Sequence, residues 1–561
     1  MYRPNEQHRQ LPLMSTLDEL PEKLRERLDE SWAGTFYREC FCRIQEAPFA
    51  VLYSEVSSRP NVPVNVLVGL ETLKAGFGWS DEETIEAFSY DMQVRYALGY
   101  RDLRNGHFEL RTLYNFRRRL SKHMQTTGEN LLEHAFEDIT DQQVEKLAIK
   151  TSMLRMDSTQ IASNIREFSR LQLLVEVVQR VVRVMGESDR LRFEELLAPY
   201  LEGSSGHYIY RVKPAEQKRH VSQIGEVMAK LVDELAAGYS EQAAYRLLVR
   251  VFHEHFVLDT TGLRVKQGAE LRGDTLQSPD DPDATYRFKQ GQAYRGYAAN
   301  LTETCDPTNP VQLILAVQVA PNVVDDGKLL ADVLPRLVER TDIEELYVDG
   351  GYNGPPVDNL LRRHRVSLIP SAIRGGILSG DTLSLDQFDW QTDTAGWPQS
   401  ITCPHGQAAP IQRGTQDHFQ AHFDASVCAI CPFLDYCPSQ PRQRTPVHVL
   451  NIKKRSFFAA LYRQRMNSII ASDVNLRASV EASVRSVKHP FPAGRLPVRG
   501  NIRVSMLLIG SALMTNIRRI ARYQYDLNHP KLPVALSIFH RLLARFCLWL
   551  TAPPALYPAA A

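Results

Sequence analysis

Two short apolar runs, each closing on an aspartate, limit the fold more than any other feature of this chain. Met153-Leu154-Arg155-Met156 leads into Asp157, and Leu346-Tyr347-Val348 leads into Asp349 and two glycines. Short apolar runs bounded by turn residues read as buried strands. If the two strands are neighbours, their carboxylates converge. A third acid, Glu481, stands in RASVEASVRSVK. At about 100° per residue a helix would place Arg477, Glu481, Arg485 and Lys488 in one stripe, with Val480, Val484 and Val487 in the apolar stripe beside it. That puts a carboxylate on the edge of a core, flanked by cations suited to phosphate.

The rest of the chain alternates helical and strand patterns, which makes the class α/β. From about residue 15 to 145 the pattern is helical. Pro60 and Pro63 fit a helix start, and Ser80 with Glu83 forms a capping-box arrangement. A basic helix follows at LRTLYNFRRRLSKHM, and short helices with tight turns are compatible with helix-turn-helix docking on DNA. Residues 165–255 read as a charge-rich helical insertion. AYRGYAANLTETC and PVQLILAVQVA, separated by DPTNP, read as a hairpin. Helices at 326–340 and 355–364 bracket the Asp349 strand, and VSLIP follows as a short strand. Residues 371–448, rich in Gly, Pro, Asp and Gln, break this rhythm as an inserted module. Helices return at about 455–490 and 500–524.

At 561 residues, 43% hydrophobic and 23% charged, the chain has enough apolar material for several folded units. The formal net charge of +1 hides local clusters. Residues 101–122 carry Arg101, Arg104, Arg111, Arg117, Arg118, Arg119 and Lys122 against Asp102 and Glu109, while the only acids in 453–503 are Asp473 and Glu481. Both clusters suit a phosphate backbone. No apolar segment follows a basic start, and Val534–Leu550 is interrupted by His540, Arg541 and Arg545. The expectation is a soluble, cytoplasmic protein.

Cutting or joining a phosphodiester requires neutralising charge on the attacking and leaving oxygens, which two divalent ions about 4 Å apart can do, held by carboxylates. With these motifs in view, the chain resembles the DDE transposases of bacterial insertion sequences along nearly its whole length. The likeness rests on RPNVP, TLYNFRRRL, MDST, the DPDA loop, GYAAN, YVDGGYNG and the Arg477, Glu481, Lys488 spacing. The family's usual tyrosine three residues before the arginine is Val474 here. The resemblance implies a ribonuclease-H-like mixed-sheet catalytic core over 146–530, after a helical DNA-binding domain over 1–145. Within the core it implies a helical insertion at 165–260 and a cysteine-containing insertion at 371–448, with a C-terminal helix and tail at 531–561. It also implies Asp157, Asp349 and Glu481 as ligands of two Mg²⁺ or Mn²⁺ ions, with Arg477 and Lys488 on transposon-end DNA. Its implied partners are inverted-repeat DNA, target DNA and a second copy of the chain in the synaptic complex. A catalytically silent DNA-binding regulator and a non-transposing nuclease of the same fold are the alternatives.

Each motif also has a plain structural reading. Asp349-Gly350 can be a turn dipeptide, and Arg477 with Glu481 an ordinary helical ion pair, although that leaves Arg485 and Lys488 unexplained. Arg117, Arg118 and Arg119 fan over about 200° of a helix, so one or two can face DNA while the rest mark a solvated helix end. Asp280, Asp281, Asp283, Asp325 and Asp326 are expected mostly in loops and caps. Cys403, Cys428, Cys431 and Cys437 have the spacing of a tetrahedral zinc site, with His405 as a substitute ligand, in a module expected to have little core. An iron–sulfur cluster and free thiols stay open beside zinc. Cys40, Cys42, Cys305 and Cys547 read as ordinary buried cysteines.

Overall fold

The computed structural model describes residues 1–9, 15–54, 60–260, 262–289, 291–372, 382–414, 418–472, 476–477 and 479–530. Val474, Cys547 and the expected helix and tail at 531–561 lie outside them. At the centre is a sheet built from β1 (Met153–Ala162), β2 (Gln292–Thr304), β3 (Ile314–Pro321), β4 (Glu345–Val348) and β5 (Ser367–Pro370). β1 is antiparallel to β2 and parallel to β4; β3 pairs with β2, and β5 lies parallel to β4. The order β3-β2-β1-β4-β5 is that of a ribonuclease-H-like core. Thr285–Lys289 folds back on the start of β2 as a hairpin arm.

The pleat decides what each face of β1 meets, because successive side chains point to opposite sides. Leu154 and Met156 join Leu330, Val333, Leu334 and Leu337 of the helix Asp326–Arg340. The other face carries Arg155, Asp157, Thr159 and Ile161. On this side of the sheet Val480–Lys488 lies over β1, and the long helix Asn501–Asn528 over β3.

Five helices matter below: α1 (Val64–Phe77), α2 (Leu110–Thr127), α3 (Asp326–Arg340), α4 (Val480–Lys488) and α5 (Asn501–Asn528). α1 and α5 approach closely because small residues meet at the crossing. A Cβ on Gly510 would lie 2.8 Å from that of Ala75, and one on Gly76 would lie 2.3 Å from Met514 Cγ. The helices before residue 147 therefore share one continuous core with α5 and with Ile161, Leu301 and Ile314 of the sheet. Asn516 fastens this layer to β3, its side chain exchanging two 2.8 Å hydrogen bonds with the backbone of Ile314.

Two units hang on this frame. Helices between Arg170 and His255 pack around a core of their own. Residues 389–453 form a six-stranded antiparallel sheet. Its inner face, with Ile401, Phe419, Ala421, Phe423, Leu450 and Ile452, merges with the apolar side of the central sheet. The expected coreless module thus has a core. Its strands alternate, as in His418–Asp424, but they are too short and too interrupted by Gly and Pro to stand out. Among the described residues no helix is long and apolar enough to cross a membrane.

His255 ends the last helix of the 170–255 unit, with both ring nitrogens buried and without hydrogen-bond partners. Burial, then the charges of Arg170 and Lys266, lower its pKa to about 4. Because the folded value is depressed, the neutral imidazole contributes stability that is present above about pH 6.5 and lost as pH falls toward about 4. Limited proteolysis across this window is expected to open the unit in the wild type, and His255→Gln is expected to flatten the response.

Candidate active site

The register of β1 on β4 places Met153 beside Glu345, Leu154 beside Leu346 and Arg155 beside Tyr347. Continued by two residues, the same offset brings Asp157 level with Asp349, and the pleat turns both side chains to one face. The electrostatics agree. Burial raises the Asp157 carboxyl above its ordinary range, the Arg477 guanidinium opposes that rise, and Asp349 adds to it as a nearby like charge. Arg477 Nη2 lies 3.2 Å from Asp157 Oδ1.

Asp349 follows the end of β4 and accepts a 2.6 Å hydrogen bond from Gly351 N. Tyr352, fully buried, holds the rest of this turn down: its hydroxyl donates to Asn300 Oδ1 at 2.7 Å. Asn300 stands opposite Ser158 in the β1–β2 ladder, and Ser158 Oγ donates to Asp326 Oδ1 at 2.7 Å. Asp326 is thus tied to the residue next to Asp157 but on the back of the strand. Tyr352→Phe removes one hydroxyl and leaves Asn300 Oδ1 buried without that donor, at a cost of about 1–3 kcal/mol. A lower melting temperature is expected in thermal denaturation.

The other acids of the aspartate series serve elsewhere. Asp325 caps α3 through Gly327 N at 2.9 Å. Asp280 pairs with Arg180 at 2.6 Å. Asp281 is fully buried and accepts from Tyr297 Oη, from Ser163 Oγ at 3.2 Å and from Gly500 N at 2.9 Å. It locks the end of β1 to the chain entering α5.

α4 runs over β1. Because the helix begins at Val480, Arg477 sits one turn ahead of it, its carbonyl accepting from Val480 N at 2.9 Å, instead of continuing a helical stripe. Val480, Ser483 and Val487 point inward, so a serine takes part of the apolar stripe expected from valines alone. Glu481 lies exposed in the first turn, and Arg485 faces solvent. Lys488, at the far end, donates from Nζ to Thr159 Oγ1 at 3.3 Å and to Gln160 O at 3.0 Å, and burial lowers its pKa. Asp157 and Asp349 are hard oxygen donors on adjacent strands and so suit a hard divalent ion. Glu481 is not gathered with them. Among the described residues no three His, Cys, Asp or Glu side chains gather closely enough to hold a metal.

One organising residue escapes sequence reading. Glu303 is fully buried and pairs with Arg155 at 2.7 Å and with Arg519 at 2.9 Å, and it accepts from Ser483 Oγ of α4 at 2.6 Å. Arg155 in turn donates to Leu476 O at 2.8 Å, next to Arg477. An acid between two threonines in a strand carries no mark that it points inward.

Two family models match the chain. One, described as a transposase DDE domain, covers residues 402–521; the other, a transposase domain (DUF772), covers residues 26–119. The first span contains Arg477, Glu481 and Lys488, and Arg477 reaches out of it to Asp157 on β1. Both models are of transposases, and together they support a DDE-type transposase of an insertion sequence. No curated protein and no solved structure is similar enough to match.

The second matched span of the transposase holds the three consecutive arginines, and they differ in situation. Arg117 is mostly buried, pairing with Glu71 and with Asp81, each at 2.7 Å. Arg119 lies 4.8 Å from the centre of the Tyr53 ring. Arg118 is exposed, with Asn115 Oδ1 at 3.2 Å. Of the cysteines outside the late module, Cys40 and Cys305 are buried as expected, whereas Cys42 is exposed. Cys403, Cys428, Cys431 and Cys437 are free and partly buried at one end of the six-stranded sheet. The thiol of Cys428 is raised by burial first, then by its neighbours Cys437, Cys403 and Cys431.

Proposed function

We propose that this transposase binds the terminal inverted repeats of its element and carries out Mg²⁺-dependent strand cleavage and strand transfer at the face of β1 bearing Asp157. The observation that carries the reading is Asp157 on β1 with the like charge of Asp349, just past the end of the neighbouring β4, close by, and with Arg477 against Asp157. Asp157 and Asp349 would hold the divalent ions, and Glu481, exposed in the first turn of α4 and not gathered with them, would have to close onto the site to complete the second. When bound, the ions supply Lewis-acid stabilisation of charge on the attacking and leaving oxygens. Arg477 and Lys488 bind and orient the phosphate of the strand being cut. Water attacks phosphorus at the element's end, breaking the bond to the 3′ oxygen, which leaves as a 3′-OH. That hydroxyl then attacks a target phosphate at the same site, forming one P–O bond as another breaks. Pairing two ends calls for a homodimer in the synaptic complex.

Labelled end DNA incubated with a target plasmid and Mg²⁺ tests the reading. Joined products are expected. Nicks without joining would favour a nuclease, and a gel shift without either product a silent regulator.

The cysteine module is read here as a structural zinc site that the thiols would close around the metal, supported by the CxxC spacing and by Cys437, Cys403 and Cys431 lying near enough to raise the Cys428 thiol. About one zinc per purified chain is expected by elemental analysis, with loss of resistance to proteolysis at the 389–453 sheet on chelation. Iron in place of zinc, or no metal, would select the cluster or free-thiol alternative.

A further inference from the structure

Beyond Asp157, the same strand is lined by cations at regular intervals. Arg477 sits on Asp157 and Lys488 on Thr159 and Gln160. Past the end of β1, Arg495 Nη2 donates to Ile165 O at 2.8 Å and Arg499 Nε to Asn164 O at 2.5 Å. The segment carrying these two arginines is zipped to the strand, with Leu496 N donating to Ala162 O and Asn164 N to Val498 O, both at 2.9 Å. The row ends in a cleft of about 640 Å³ between α2 and the start of α5, walled by Tyr114, Asn164 and Met506 and rimmed by Arg118, Arg499 and Arg503.

The charges in this cleft are of two kinds. Lys74 and Arg117 are spent on Asp81 and Glu71, which neutralises the carboxylates at the back. Arg499 is shared with Asp280 at 3.5 Å. Arg118 and Arg503 are exposed, and among the described residues neither has an acidic partner. What reaches solvent is therefore net positive, on a surface continuous with the candidate active site. Two deeper atoms lack partners along the same line: Arg477 Nε, a donor, and Gln160 Oε1. A simple solvated helix face would not bring unpaired cations from both α2 and α5 to one cleft.

We infer that this cleft holds the sugar-phosphate backbone of duplex DNA flanking the scissile phosphate, with Arg118 and Arg503 as its phosphate contacts. The inference rests on the proposed function and deepens it. The five steps along β1 from Asp157 to Ala162 span about 17 Å, the axial length of about five base pairs of duplex. Phosphate contacts carry no sequence information, so a generic duplex is a sufficient probe.

The test is fluorescence anisotropy with a labelled random-sequence 30-base-pair duplex in EDTA, titrated at several salt concentrations. The full chain is compared with Arg118→Ala/Arg503→Ala, with Arg118→Lys/Arg503→Lys, and with a control altered at Arg211 and Arg219 in the helical unit. The alanine pair is expected to weaken binding about tenfold or more near 0.1 M salt and to reduce the slope of log K against log salt by about 2, at roughly 0.9 per phosphate contact. The lysine pair should keep most of the slope, and the control all of it. An unchanged slope in the alanine pair, with melting temperature preserved, overturns the inference, as does an effect seen only on single strands. Mg²⁺-dependent nicking is scored separately: a wild type that binds with the expected slope but never cuts would refute the catalytic reading and leave the cleft assignment standing.

Discussion

Asp157→Ala is expected to lower Mg²⁺-dependent strand cleavage by at least about a thousandfold, roughly 4 kcal/mol of transition-state stabilisation, while DNA binding in EDTA stays within about twofold. Asp157 is the position where the two strands and α4 meet. Its carboxylate is buried beside a like charge, and Arg477, helped by the backbone N–H of Ser158, offsets the resulting preference for the protonated form. Such an arrangement is unfavourable for a structural role and favourable for holding a cation. Asp157→Asn is the sharper variant. It keeps an acceptor for Arg477 but loses the charge, so it should match the alanine variant in cleavage and the wild type in melting temperature. Asp349→Ala should show the same cleavage loss. Glu481 is exposed and its removal should leave stability unchanged, so any loss in Glu481→Ala reports chemistry alone. Cleavage persisting in Asp157→Asn, measured on labelled end DNA, would remove this carboxylate from the site.

The contrast between what could and could not be read in the chain has a physical origin. The strands at Asp157 and Asp349 were legible because a buried run that stops at turn residues is a local signal, and helices 326–340 and 355–364 were legible through their apolar period. Their adjacency was not, since pairing of β1 with β4 is set by residues almost two hundred positions apart. The same holds for Arg117. Three consecutive arginines look alike, yet one is taken by Glu71, 46 residues earlier, and another lies over Tyr53. In the cysteine module the spacing of thiols dominated, and the alternation of Phe419, Ala421 and Phe423 passed as loop because each strand is short. Glu303 is the extreme case. Its function is defined wholly by partners from β1, α4 and α5 that no local window contains.

For that reason Glu303→Ala is expected to be the most destabilising single change in the core, by about 3–5 kcal/mol, because it strands Arg155 and Arg519 with their main counter-charge removed. Arg155 is nearly inaccessible, so water cannot take over its solvation without opening the sheet. The damage should also reach the chemistry. Glu303 anchors α4 through Ser483, and Arg155 anchors the turn before Arg477 through Leu476 O. Losing the carboxylate therefore frees the helix that carries Glu481 and Lys488. Chemical denaturation checks the first effect and cleavage of end DNA the second. Glu303→Met with Arg155→Met separates them: replacing much of the buried ionic group by apolar side chains should recover part of the stability, yet leave cleavage depressed because Leu476 O then loses Arg155 and Ser483 is left with Arg519 alone. Full recovery of cleavage in that double variant would mean that Glu303 acts on the fold alone and takes no part in placing α4 over Asp157.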